Sequence, residues 1–359
     1  MKEEKRTGQR LYVAAILLSQ LLPFIGFAAL AWRSALLERM AGVAVFCALA
    51  LAELVVGLLT FRQKGRQGRW LGLCSDLLLS AFLLPMCMGI FLYEENFFHH
   101  VETSGAATQY VSSYPGLREE PAPFVSDMDQ TLDGSFYSRD VTQRGAVVIL
   151  AHGNGVGRRA YLDVINALAS DGYLVYAYDA TGYDASEGRS TWGLPQGSID
   201  LAFAIDHVTK LKPGRPLVLL GHSWGGYAAG SVLNTHPHVR AVISLAGFDN
   251  SLDLLEEQGR QLLGSVIQVF IPYLSLYEWI KFGKNADYSA SDGFKNSTAA
   301  VLIVHSADDN LVPSNLGFDK YLEQFQDDPR FTFRLYQDRG HERVFDVNVV
   351  REFLKTAVG

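Results

Sequence analysis

The feature that most restricts the fold of this chain is residues 216–230, PLVLLGHSWGGYAAG. Four apolar residues, Leu217, Val218, Leu219 and Leu220, run into Gly221-His222-Ser223-Trp224-Gly225, and the small residues Gly226, Ala228, Ala229 and Gly230 follow at helical spacing. The pattern reads as strand, tight turn and helix with Ser223 at the tip. A serine there is forced into a cramped backbone conformation that lifts its hydroxyl clear of the sheet. Glycines two residues to either side are needed because a Cβ would clash. A glycine-rich turn with a solvent-facing serine would show the same five residues, so the rest of the chain must carry the assignment.

Downstream of residue 126 the chain alternates strands and helices. Residues 131–139, TLDGSFYSR, read as an early antiparallel strand, and 146–151, AVVILA, as a continuous apolar run of the kind buried on both faces of a parallel sheet. That run ends in His152-Gly153-Asn154-Gly155. A helix over 160–170 leads to a strand at 174–178 and a loop, DATGYDASEGRS; a helix over 198–211 precedes the serine strand. Further strands fall at 241–245, 300–304 and 331–336. This order predicts an α/β fold with an open, mostly parallel sheet flanked by helices and ligands at the carboxyl ends of its strands.

A serine at such a turn becomes a nucleophile only with a base to take its proton, an acid to fix the imidazole tautomer, and backbone N–H groups to meet the oxyanion. On a sheet of this kind the three side chains follow in the order Ser, acid, His. The candidate acids are Asp308 and Asp309, in the turn HSADDNLVP after a buried strand. Of the nine histidines only His341 lies beyond them, in Arg339-Gly340-His341-Glu342 just after the last strand.

On these residues, 126–359 resemble an α/β-hydrolase-fold serine hydrolase, similar to the serine-aminopeptidase-like and monoacylglycerol-lipase-like branch. The resemblance rests on His152-Gly153, Gly182-Tyr183 with Ser186-Glu187-Gly188, the Gly221 to Gly225 elbow, and Ser306 to Pro313 followed by Gly340-His341. It implies Asp309 as the acid, four residues before the proline, with Asp308 the alternative. It also implies the N–H groups of Trp224 and Asn154 as oxyanion donors and His152 as a loop-shaping residue. Thr181 and Asp184 stand where relatives usually carry Arg and Gly, and Ser306 replaces a common Gly. Residues 251–297, where that family commonly inserts a cap, hold two helical stretches over 252–270 and 274–282. The aromatic cluster there includes Phe270, Tyr277 and Trp279, expected with Tyr183 to line an acyl or aromatic pocket. A structural helix pair packed on the core is the alternative.

The first 95 residues differ in kind. Apolar segments at about 11–32, 40–61 and 70–93 follow a basic start, each long enough to cross a hydrocarbon core of ~30 Å, and predict three transmembrane helices. A signal peptide ending near Ala29-Leu30-Ala31 is the alternative for the first. Basic flanks, Lys2, Lys5, Arg6 and Arg10 before the first segment and Arg62, Lys64, Arg66 and Arg69 before the third, stay cytoplasmic by the positive-inside rule. Three spans then place everything after Tyr93 outside, giving an integral protein of the plasma membrane with an extracytoplasmic catalytic domain. Glu53 and Asp76 fall within the apolar segments, either hydrogen-bonded between helices or sharing a proton or ion site. Residues 96–125, polar and broken by Gly105, Pro115, Pro121 and Pro123, read as a tether.

Charge and cysteine usage narrow the partners. Residues 1–99 carry 10 Lys+Arg against 7 Asp+Glu, and residues 100–359 carry 21 against 31. The acidic second part argues against nucleic acid. Cys47, Cys74 and Cys87 all lie in the apolar region, so disulfides and thiolate metal sites are excluded from the rest. The expected chemistry is cleavage of a carboxylic ester, lipid-like or thioester, through an acyl-enzyme, with the bilayer and a small acyl substrate as partners and no metal or organic cofactor required. An aminopeptidase or amidase of the same fold is the runner-up. A non-catalytic hydrolase-fold membrane protein is the alternative from another class.

Overall fold

The computed structural model describes residues 66–358 together with Val55. The segments at 11–32 and 40–61, with Cys47 and Glu53, lie outside the described residues. Two compact units are distinguished, one of residues up to Phe98 with Leu263–Tyr277, the other of His99–Leu262 with the chain from Glu278 onward.

In the first unit the third apolar segment lies within helix α1, Arg66–Phe97, which continues through Pro85. Its side chains are described only in part, and among the described residues no single helix is long and apolar enough to cross a membrane. Residues 263–277 pack along α1. Tyr273 meets Phe82 with ring centroids 5.3 Å apart, Phe270 lies over Gly89, and Tyr277 meets Tyr93 edge-on at 5.3 Å.

The second unit is built on an eight-stranded sheet. Its strands are β1 (Arg118–Pro121), β4 (Gly134–Ser138), β5 (Val147–Ala151), β6 (Leu174–Tyr178), β7 (Leu217–His222), β8 (Ala241–Leu245), β9 (Ala300–Ser306) and β10 (Phe331–Tyr336). They lie in the order β1-β4-β6-β5-β7-β8-β9-β10, with β2 (Phe124–Val125) and β3 (Thr131–Leu132) forming a separate pair. From β6 to β10 all neighbours are parallel; β4 pairs antiparallel with both β6 and β1. The runs VVILA, LVYAY and AVISL are buried at every residue because helices cover both faces of a parallel sheet. Helices α2 (Leu162–Ser170) and α7 (Val347–Val358) supply Leu162, Ile165, Leu168, Val350 and Leu354 to one core, against Val148, Leu150, Val175, Leu220, Ile243 and Leu302 from the sheet. The outer strand β1, REEP, is charged and ends in proline, which blocks further pairing at that edge.

Several boundaries differ from the sequence reading. The strand expected over 131–139 divides between β3 and β4, because Asp133 turns the chain and its carbonyl accepts the Asp179 N–H at 2.9 Å. The helix expected from 198 begins earlier, as α3 over Leu194–Leu211, with Pro195 in its first turn, where no N–H is required. The two stretches expected at 252–270 and 274–282 are α5 (Ser251–Leu263), a 3₁₀ turn at Gly264–Val269, and α6 (Ile271–Phe282). Gly264, at φ +59°, ends α5. Residues 96–125 do more than connect. They supply the edge strand β1, and Val101 exchanges backbone hydrogen bonds with Gly182 and Asp184 at 2.8 and 2.9 Å.

Candidate active site

Four parallel strands deliver the candidate residues at their carboxyl ends. β5 runs into His152 to Gly155, β7 into Ser223, β9 into Asp309 and β10 into His341. The register fixes their heights, with Ala151 opposite Gly221, Gly221 opposite Ser244 and Ser306 opposite Tyr336.

Ser223 stands between β7 and helix α4 (Trp224–Ser231) at φ +56° and ψ −115°, a region side chains rarely occupy, at a cost of order 1–3 kcal/mol. Its N–H donates to Leu245 O at 2.7 Å and its carbonyl accepts the Tyr227 N–H at 3.1 Å, so the strained turn is held at both ends. The two flanking glycines are obligatory. A Cβ on Gly221 would lie 1.9 Å from Gly225 O, and one on Gly225 would lie 2.0 Å from Ala151 O. The N–H of Trp224, first in α4, has no partner among the described residues and stands where the helix dipole favours negative charge.

The loop after β5 is shaped by buried rings. His152 is buried; its Nδ1 lies 2.8 Å from Gly153 O and its Nε2 accepts the Ala180 N–H at 2.9 Å. The carbonyl can only accept, so Nδ1 carries the proton. Burial lowers the pKa of this ring to about 4, and it stays neutral, a loop-shaping group as expected. Tyr183 is fully buried. Its hydroxyl donates to Asn154 Oδ1 and accepts the Gly155 N–H at 3.2 Å, so it orders the loop after β5. The Asn154 backbone N–H has no partner among the described residues.

Asp309 and His341 are joined. Asp309 Oδ2 lies 2.7 Å from His341 Nδ1, while Oδ1 accepts the N–H groups of Leu311 and Val312 at 3.0 and 2.9 Å. Burial pushes the Asp309 carboxyl up, but the hydrogen bond from His341, the Val312 N–H and the charges of His341 and His305 outweigh it and hold the group below the usual carboxylate range. Asp308 points elsewhere. Its Oδ1 accepts the Ser306 hydroxyl at 2.6 Å and the Gly340 N–H at 2.8 Å, and Ser306 Oγ accepts the Arg339 N–H at 3.0 Å. The serine that replaces a common glycine thus ties the acid loop to the His341 loop. The hydroxyl of Ser223 and Nε2 of His341 make no hydrogen bond among the described residues.

Three positioning groups had no clear sequence signal. Tyr161 accepts the Gly153 N–H at 3.0 Å and lies 2.9 Å from His222 Nδ1; His222 Nε2 lies 3.0 Å from the His341 carbonyl. Since that carbonyl accepts, His222 donates from Nε2 and takes the Tyr161 proton at Nδ1. This directed chain runs from the loop after β5, through His222, to the loop of His341, and the rings of His222 and His341 lie 4.9 Å apart. Burial, then the charge of His341, lowers the pKa of His222, so it stays neutral. The third is His305, buried behind the acid, with Nε2 2.8 Å from Val312 O and 3.5 Å from Asp309 Oδ2. Of the aromatic residues expected around a substrate, Phe270 and Tyr277 belong to the first unit, and Trp279, on α6 in the second, is exposed.

Comparisons with known proteins bear on the fold and on the class of chemistry. Residues 142–292, less than half of the chain, match the family described as Hydrolase_4, serine aminopeptidase, S33. A lysophosphatidylserine lipase, ABHD12 of Danio rerio, is 27% identical over 202 residues, covering 54% of this chain and 50% of that protein. A putative chloroplastic methylesterase 15 of Arabidopsis thaliana is 28% identical over 167 residues, covering 43% and 37%. The chain thus spans about half or less of the length of these relatives. Among solved structures, the Pyrococcus furiosus esterase Pf2001 superposes with a TM-score of 0.57 at 16% identity over 73% of this chain and all of that one. The likeness shows the α/β-hydrolase fold, and the family match with the lipase and esterase relatives supports a serine hydrolase, esters favoured.

Proposed function

We propose that the chain is a membrane-anchored serine hydrolase that cleaves carboxylic esters of lipid-like acids through an acyl-enzyme. Ser223 Oγ attacks the carbonyl carbon and its proton passes to His341 Nε2. Asp309, accepting from Nδ1, orients the ring and stabilises the imidazolium. The oxyanion is met by the N–H groups of Trp224 and Asn154. The protonated His341 then gives its proton to the leaving alkoxide, and a water activated by the same ring releases the acid. The observation that carries the reading is a strained, glycine-flanked Ser223 at the carboxyl end of one strand and a bonded Asp309–His341 pair at the carboxyl ends of two others in the same sheet. A lipid-like ester is favoured by the lipase and methylesterase relatives.

Anchoring by the three N-terminal apolar segments, with the catalytic domain outside the plasma membrane, rests on their length and on the basic residues that flank them. Peptide or amide cleavage is the second reading, favoured by the serine-aminopeptidase description of the matched family. Hydrolysis of p-nitrophenyl esters of increasing chain length beside aminoacyl p-nitroanilides separates the two. Ester turnover that exceeds anilide turnover and disappears in Ser223→Ala is expected; the reverse preference makes the chain a peptidase.

A further inference from the structure

Between Arg260 and Glu278 the chain carries no charged side chain. The segment Leu263–Tyr277, LGSVIQVFIPYLSLY, belongs with α1 in the first unit. Its backbone closes on itself where it turns: Phe270 N–H donates to Ile267 O at 2.8 Å, and the N–H groups of Tyr273 and Leu274 donate to Phe270 O at 3.0 Å. Self-satisfied backbone is what a segment needs to leave water.

Its large side chains fall into two sets. Phe270, Tyr273 and Tyr277 line α1 over Gly89, Phe82 and Tyr93, and the Tyr277 hydroxyl donates to Glu94. Val266, Val269 and Leu276 are 55%, 52% and 49% exposed. α1 is exposed in the same way at Leu78, Phe82 and Met88. Phe82, which meets Tyr273, precedes Glu94, which meets Tyr277, by twelve residues. At ~1.5 Å per residue the two elements run together for about 18 Å, more than half of a ~30 Å hydrocarbon core.

We propose that Leu263–Tyr277 is a re-entrant element embedded in the acyl-chain layer of the lipid bilayer beside α1, entering and leaving on the side of Glu94. The inference rests on α1 being a membrane span. The occupant is lipid because the exposed side chains continue the apolar surface of a helix that itself follows two long apolar segments. The segment is too short to span, and its charge-free length is that of a re-entrant element. A protein partner would be met by a core with a polar rim, and this stretch offers no charge with which to build one. The arrangement places an insertion of the hydrolase sequence in the layer where acyl substrates dissolve.

The test uses the full chain with Cys47, Cys74 and Cys87 replaced by Ser, reconstituted in phosphatidylcholine vesicles. Single cysteines at Val266, Val269, Leu78 and the exposed Thr356 carry an environment-sensitive fluorophore. Labels at Val266→Cys and Val269→Cys are expected to emit at shorter wavelength than at Thr356→Cys, to be quenched by acyl-chain spin-labelled lipid, and to lose several-fold of their quenching by aqueous iodide. Lipid quenching at Leu78→Cys with free iodide access at Val266→Cys and Val269→Cys overturns the re-entrant element and leaves the anchor standing. Free iodide access at Leu78→Cys overturns the anchor, and the proposal with it.

Discussion

Replacing Asp309 by Asn asks the most of the proposed mechanism. The carboxylate is buried, with Oδ2 2.7 Å from His341 Nδ1 and Oδ1 taken by two backbone N–H groups. Asn fills the same volume. Leu311 and Val312 hold its carbonyl oxygen in the place of Oδ1, so its NH₂ group must face His341. Nδ1 then has to accept, the proton moves to Nε2, and the ring can no longer take the proton of Ser223. The same change in Ser-His-Asp triads costs about 10⁴ in turnover, or about 5 kcal/mol of transition-state stabilisation at 1.36 kcal/mol per tenfold. The fold loses about 1.5–3 kcal/mol, the scale of one hydrogen bond to a charged group. Stopped-flow hydrolysis of a p-nitrophenyl ester gives kcat/KM, and thermal melting reports the fold. Asp308→Asn is the matched control. Its oxygen can still accept from Ser306 and Gly340, so activity falls by less than about tenfold. An Asp309→Asn protein that melts normally and keeps more than about a tenth of wild-type activity refutes the tautomer argument. So does an Asp308→Asn protein that loses as much.

Tyr183→Phe removes the hydroxyl that orders Asn154 and Gly155; steady-state kinetics should show kcat down by about tenfold, part of the ~10²–10³ that one oxyanion donor is worth, with KM little changed. Gly225→Ala forces a methyl to within 2.0 Å of the Ala151 carbonyl and should cost upwards of about 3 kcal/mol in denaturant unfolding; a loss under about 1 kcal/mol would mean that the elbow is looser than described. His100 predicts a pH dependence. Its ring nitrogens lie 2.8 and 2.9 Å from the carbonyls of Gly188 and Asp184, so both must donate and the ring is cationic. The Gly188 carbonyl raises its pKa most, opposed by burial and assisted by the Asp184 carbonyl and the charges of Glu102 and Asp184. With a folded pKa above the unfolded value, the stabilisation is complete below about pH 6.5 and is lost as pH rises through the folded pKa. The melting temperature of the wild type relative to His100→Gln should therefore fall between pH 6 and 8; a constant difference contradicts the cationic ring.

The inner parallel strands were legible because burial on both faces leaves an unbroken apolar run, which is why β6 and β8 begin and end where the sequence puts them. The meeting of Asp309 and His341 was legible because the order of strand ends along the chain limits which residues can meet. What escaped was polar structure made by long-range hydrogen bonds. Residues 96–125 look like a linker, yet the Thr103 N–H and hydroxyl donate to Asp184, whose φ of +44° is itself unusual for a non-glycine residue. Arg158 sits in a pair of arginines that would be read as surface. It is 2% exposed and bridges Asp179 and Asp133, a pairing no local pattern announces. Tyr183 was found as a motif residue, but the burial of its ring and the contacts of its hydroxyl with Asn154 and Gly155 depend on distant loop partners that no local pattern announces.

The central claim, that Ser223 is the nucleophile, is tested most directly by treating the full-length protein with a fluorophosphonate and mapping the adduct by peptide mass spectrometry. A single adduct on Ser223, formed in time with loss of ester hydrolysis and absent from a folded Ser223→Ala protein, is the predicted result. A folded wild-type protein that hydrolyses esters but takes the label on another residue, or on none, contradicts it.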